Sequence, residues 1–106
     1  MWNILILIHE RNRNKWIDIL SKHPYLTKKT VSCYSAIFCI ANILSFTIFT
    51  SPSLLCGHRF DLAYIDDNLR LSENEDITLT CCLTFGNNRA PIKALEYHFY
   101  KELSQI

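Results

Sequence analysis

Apolar positions along the chain fall into distinct stretches, and their spacing predicts the elements. Residues 2–8 (WNILILI) form a short apolar run. It suits a buried strand or the start of a helix, and periodicity does not separate the two. Residues 9–15 (HERNRNK) are polar throughout and read as a loop or solvated turn. Helical spacing returns over 14–22, with Trp16, Ile17 and Leu20 on one face. His23-Pro24 ends that helix, because a residue before proline avoids the helical region.

Residues 27–30 (TKKT) make a polar basic hinge, and 31–49 (VSCYSAIFCIANILSFTIF) follow without a charge. As a helix this stretch is about 28 Å long, close to the roughly 30 Å of a bilayer's hydrocarbon core. Nine of its nineteen residues are Ile, Leu, Phe or Val, against Asn42 near the midpoint and several hydroxyls. Six Lys or Arg precede it within twenty residues, and only Arg59 follows within twenty. That asymmetry orients a span with its N-terminus in the cytoplasm and its C-terminal part outside. The segment is therefore expected to be a transmembrane helix over 31–49. The competing reading is a buried core helix, with Ile37, Ile40, Leu44 and Ile48 facing inward. Ser51 and Ser53 also have the small-x-small form of a signal cleavage site, but the stretch before them is too long for one.

The remainder reads as a small α+β unit. Phe60, Leu62 and Tyr64 alternate with Asp61 and Ala63, as in a strand, and Asp66-Asp67-Asn68 is turn chemistry. Over 77–85, Ile77, Leu79, Cys81, Leu83 and Phe85 alternate strictly with Thr78, Thr80, Cys82 and Thr84. That period of two predicts a half-buried antiparallel strand. Gly86-Asn87-Asn88 ends it, Pro91 opens a helix, and Ile92, Leu95, Phe99 and Leu103 form its apolar stripe. The expected architecture is α+β: a long apolar helix, then a small antiparallel β unit and a C-terminal amphipathic helix. The corresponding segments are a basic N-terminal stretch at 1–30, the apolar helix at 31–50 and the α+β unit at 57–106.

Charge sharpens this division. Residues 1–30 carry six basic and two acidic side chains, whereas 57–106 carry five basic and eight acidic. The whole chain nets +1, so no global field draws it to nucleic acid. At 106 residues it holds one domain, which excludes a multi-domain enzyme or a repeat array. Only two glycines and one valine stand beside thirteen isoleucines. Packing selection does not separate Val from Ile so sharply, whereas AT-rich coding does. That bias keeps a fragmentary or weakly selected reading frame among the alternatives.

Candidate chemistry is sparse. Cys33 and Cys39 read as small packing residues inside the apolar stretch. If the C-terminal unit lies outside the cell, Cys56 pairs with Cys81, or else with Cys82, and a loop of that size contributes about 3 kcal/mol. The simpler alternative is that all five cysteines are reduced thiols. Cys56-Gly57-His58 with Cys81, Cys82 and His98 has the elements of a zinc set, but its spacing matches no common finger. A Cys–His nucleophile would be drawn from the same residues. His9 and His23 read as surface histidines. No P-loop, H-E-x-x-H, G-x-S-x-G or dinucleotide glycine pattern occurs. No catalytic residue, cofactor, metal or small-molecule substrate is therefore expected.

Residues 69–81 (LRLSENEDITLTC) resemble the early strands of an immunoglobulin-type domain, where an acidic turn leads into an alternating strand ending at the first core cysteine. The later tryptophan and second cysteine of that family have no counterpart: the two tryptophans are Trp2 and Trp16, and 24 residues follow Cys82. Neither fold nor binding role carries over. The reading is a small single-pass membrane protein that binds an unidentified protein partner and is not an enzyme. The alternative is a soluble, cytoplasmic α+β interaction module with 31–49 in its core.

Overall fold

In the charge-free stretch the apolar residues also repeat every second position, and a tight turn divides them. Ala36, Phe38 and Ile40, then Leu44, Phe46 and Ile48, pack on one side. Ser35, Ile37, Cys39, Ser45, Thr47 and Phe49 point to the other. The computed structural model, in which residues 2–55, 57–67, 69–86 and 88–103 are described (without the side chains of 100, 102 and 103), shows two strands there. They are β3 (Ser35–Ile40) and β4 (Leu44–Phe49), paired antiparallel from Ser35↔Phe49 to Ile40↔Leu44. Between them Ala41 and Asn42 both take positive φ, 55° and 58°. Ile43 N donates to Ile40 O at 3.2 Å and closes a primed hairpin turn.

The expected transmembrane helix over 31–49 is thus corrected to the end of one strand, a hairpin turn and two strands. Asn42, counted as a polar residue within a span, is the turn residue. Among the described residues no helix is long and apolar enough to cross a membrane.

The other elements follow from their sequence. β1 (Trp2–Leu7) is buried from Ile4 through Leu7. A parallel strand covered on both faces has no reason to alternate. A single 3-10 turn (Glu10–Asn12) leads into α1 (Arg13–Ser21), which buries Trp16 and Leu20. β2 (Leu26–Val31) takes the place of the expected hinge and pairs antiparallel with β3. A second 3-10 turn (Pro52–Leu55) precedes β5 (Leu62–Ile65).

The expected strand over 77–85 is α2 (Glu73–Leu83) instead. Ser72 accepts from Glu75 N while the Glu75 side chain accepts from Ser72 N, a full capping box. Glu73, Glu75 and Asp76 add negative charge to the first turn, where the helix dipole favours it. The residues that pack are Leu79, Cys82 and Leu83, at helical spacing. Ile77, Cys81 and Phe85 of the supposed buried face are exposed. The resemblance over 69–81 fails for the same reason.

Two-residue strands β6 (Thr84–Phe85) and β7 (Asn88–Arg89) then make a hairpin. β8 (Ile92–Ala94) comes next and passes directly into α3 (Leu95–Leu103). Ile92 therefore lies on a strand, and Leu95 and Phe99 carry the stripe of α3.

One six-stranded sheet has the order β2-β3-β4-β1-β5-β8. β1 runs parallel to both β4 and β5, and β5 parallel to β8, so a mixed sheet replaces the antiparallel unit expected from sequence. The sheet draws on residues from 2 to 94. α1 and α3 cover one face, where Trp16 and Phe46 both meet Phe99 edge-on. α2 and the Pro52–Leu55 turn cover part of the other, over Leu5, Leu7 and Ala63.

Candidate functional site

β1 and β5 are parallel neighbours whose connections leave in opposite directions on opposite faces. β1 feeds α1, towards β2, β3 and β4; β5 feeds α2, towards β8. In open sheets such a switch point opens a crevice at the carboxyl ends of the strands, where ligands commonly bind.

At the carboxyl end the chain fills its own crevice. Asp66 follows β5 and is only 4% exposed. Its amide donates to Leu7 O at 2.9 Å. Its Oδ2 accepts from Asn12 Nδ2 at 2.7 Å and from His9 N at 3.4 Å. Neither the 10–12 turn nor α1 has a side-chain cap of its own. Asp66 supplies that negative charge from across the switch point, where the helix dipole favours it. Two cations of this loop are engaged elsewhere: Arg13 donates to Ser32 O, and Lys15 pairs with Glu96 at 3.2 Å. The place an anionic ligand would occupy already holds a carboxylate.

The amino end is open. Asp61 precedes β5 and binds β1 in a similar way, its amide donating to Asn3 O at 2.8 Å and its Oδ2 accepting from Asn3 N at 2.9 Å. Unlike Asp66, it is exposed. Beside it lies a shallow cleft of about 220 Å³. Phe60 and Leu83 are its buried lining; Trp2 and Phe85 are its exposed aromatics; Asp61 and Arg89 are its charges. Trp2 is 50% exposed and Phe85 72%. Trp2 N donates to Ile43 O at 2.8 Å, which sets exposed Ile43 next to Trp2. Arg89 has no ion-pair partner among the described residues.

The residues singled out in the sequence are dispersed. Cys56, half of the expected bridge, lies outside the described residues. Cys81 is on the exposed side of α2, and Cys82 is buried with its Sγ donating to Leu55 O at 2.9 Å. His58 packs against Phe49 and stacks on Phe60, with ring centroids 5.2 and 6.0 Å away. His98 is on α3, across the sheet from α2. The sheet separates it from Cys81 and Cys82, so neither of those cysteines shares a site with that histidine. Among the described residues, no group of three His, Cys, Asp or Glu is placed to hold a metal ion. His23 is partly buried, and desolvation pulls its pKa below the ordinary 6.5. Its Nδ1 accepts from Tyr25 N at 3.1 Å, a bond that needs the neutral ring.

Sequence reading missed Trp2, Phe85 and Arg89 as a set. Trp2 opens an apolar run and Phe85 ends an alternating one, so both look like core. The S-x-x-E signature at Ser72–Glu75 was the available signal that 77–85 is not a strand. Comparison with known protein families, with curated proteins and with solved structures finds no significant match for this chain.

Proposed function

We propose that this chain is an α+β interaction module that binds a protein partner through the cleft at the amino end of β1 and β5, and that it binds rather than catalyses. The observation that supports this reading is the gathering of exposed Trp2 and Phe85 around one shallow opening, with Arg89 and Asp61 beside them and exposed Ile43 adjoining Trp2. Isolated exposed apolar side chains are ordinary, but a contiguous group rimmed by polar residues marks a contact surface. Trp and Arg are also the types that dominate binding energy at interfaces. Burying each large apolar side chain contributes about 1.5–3 kcal/mol, before the cost of association is subtracted. A partner that fits presents one apolar side chain to the aromatics and a carboxylate to Arg89. Cys33, Cys39 and Cys81 are free thiols, and the reading puts the module in the reducing cytoplasm.

The test is photo-crosslinking in cells, with benzoylphenylalanine placed at position 85 and, as a control, at exposed Tyr97 of α3. The expected result is a discrete protein adduct from position 85 that weakens in a Trp2→Ala background. No adduct, or the same adducts from both positions, overturns the reading.

A further inference from the structure

The sheet has two edges, and they differ. β8 is three residues long and runs straight into α3. β2 is six residues long, ends the strand order on the other side, and exposes five of its six residues. Its hydrogen-bond register tells which backbone groups are left over. Ser32 N donates to Ser35 O at 2.8 Å, next to the Val31↔Ala36 pair. Hydrogen-bonded pairs alternate in an antiparallel ladder, so Thr30/Ile37 and Lys28/Cys39 are bonded pairs. The N–H and C=O groups of Lys29 and Val31 therefore point off the sheet.

Charge selects what pairs there. No acidic residue occurs between Asp18 and Asp61, and Asp18 already pairs with Lys22 at 3.0 Å. Lys28 and Lys29 lie on opposite faces of β2, with no ion pair among the described residues. A second copy's β2 brings lysine against lysine, which disfavours self-pairing. An acidic strand reverses that sign on both faces at once. Exposed Tyr25 and Tyr34 flank the strand, and exposed Val31 is near one end.

We propose that the open edge of β2 accepts an extended acidic peptide segment, which adds to the sheet as a further strand. Backbone bonds from Lys29 and Val31 hold it in place, and Lys28 and Lys29 select carboxylates on two adjacent residues, one for each face. This is the strand-addition mode of peptide recognition. It uses a surface other than the cleft and does not depend on it.

The probe is a fluorescent octapeptide in which pairs of adjacent glutamates alternate with pairs of valines, so that carboxylates lie on both faces, titrated by anisotropy into the full chain. Saturable binding is expected, weakened about tenfold or more in Lys28→Glu/Lys29→Glu. Hydrogen exchange should slow at the amides of Lys29 and Val31, while Lys28 and Thr30, already bonded to β3, stay unchanged. Val31→Pro removes an outward donor from an edge position that tolerates proline, and should abolish binding. An N-methylated peptide makes the same cut from the other side if that variant does not fold. Phe85→Ala should bind the peptide like the unmodified chain, so failure here leaves the cleft reading standing. No saturable binding, undiminished binding of the N-methylated peptide, or binding without slowed exchange at Lys29 and Val31 overturns the proposal.

Discussion

Asp61 and Asp66 bracket β5, and each reaches across to β1, yet the two ends they mark behave oppositely. Asp66 is buried and bonded to the first turn after β1, so the carboxyl end is closed by the chain itself. Asp61 is exposed beside a cleft with two open aromatics. A switch point does not by itself make a ligand crevice; what caps the helix beside it decides. Here the helix start borrows a carboxylate from the next strand, and the surface left for recognition is at the opposite end.

The largest effect should come from dismantling the closed end. Asp66→Ala removes the acceptor of Asn12 Nδ2 and His9 N, and unfolding should cost about 1–3 kcal/mol less. A double-mutant cycle with Asn12→Ala measures how much of that loss belongs to this pair. Additive losses would show that the bracket is not one unit.

The amino end offers the opposite sign. Ala41 occupies a left-handed position in the turn that places Ile43 beside Trp2. A side chain there costs about 1–2 kcal/mol, part of which glycine returns in unfolded-state entropy. Ala41→Gly should therefore raise stability by roughly 1 kcal/mol in chemical denaturation. Phe85→Ala should change stability by less than about 0.5 kcal/mol, because an exposed side chain leaves no cavity. It should nonetheless reduce any contact made through the cleft. A large loss of stability on Phe85→Ala would mark that residue as structural and remove the contrast between the ends.

The smallest effect is a pH dependence at neither end. The His23 pKa is lowered by desolvation, so the unfolded chain binds more protons in the window below 6.5. Stability should accordingly decline as pH falls through that window and recover above it. Denaturation midpoints of His23→Gln against the unmodified chain check this, since glutamine removes the slope.

Part of this was readable from residues alone. α1 follows from Trp16, Ile17 and Leu20 with the His23-Pro24 stop, and β5 from the Phe60–Tyr64 alternation. The hairpin of β3 and β4 was hidden because apolar length and apolar alternation coexist in 31–49. Length points to a bilayer. The period of two, together with Asn42 at a left-handed position, points to a turn between strands. α2 was hidden the other way round. Its alternation of Thr with Ile, Leu and Cys imitates a strand, and the capping box with three acids in the first turn outweighs that preference. The cleft was not legible at all, since it is assembled from β1, the approach to β5 and the β6–β7 hairpin, and no local pattern joins them. Asp66 was legible as a turn residue, but its bond to Asn12 spans 54 positions of chain.

The central claim is that one end of β1 is closed by structure and the other is left open for contact. The most direct measurement is urea unfolding of Asp61→Ala and Asp66→Ala side by side: the same residue type, flanking the same strand and bonded to the same neighbour. The account predicts that Asp66→Ala loses at least about 1 kcal/mol more than Asp61→Ala, because only the buried carboxylate leaves its partners without water to replace it. Equal losses, or a larger loss at Asp61, would contradict it.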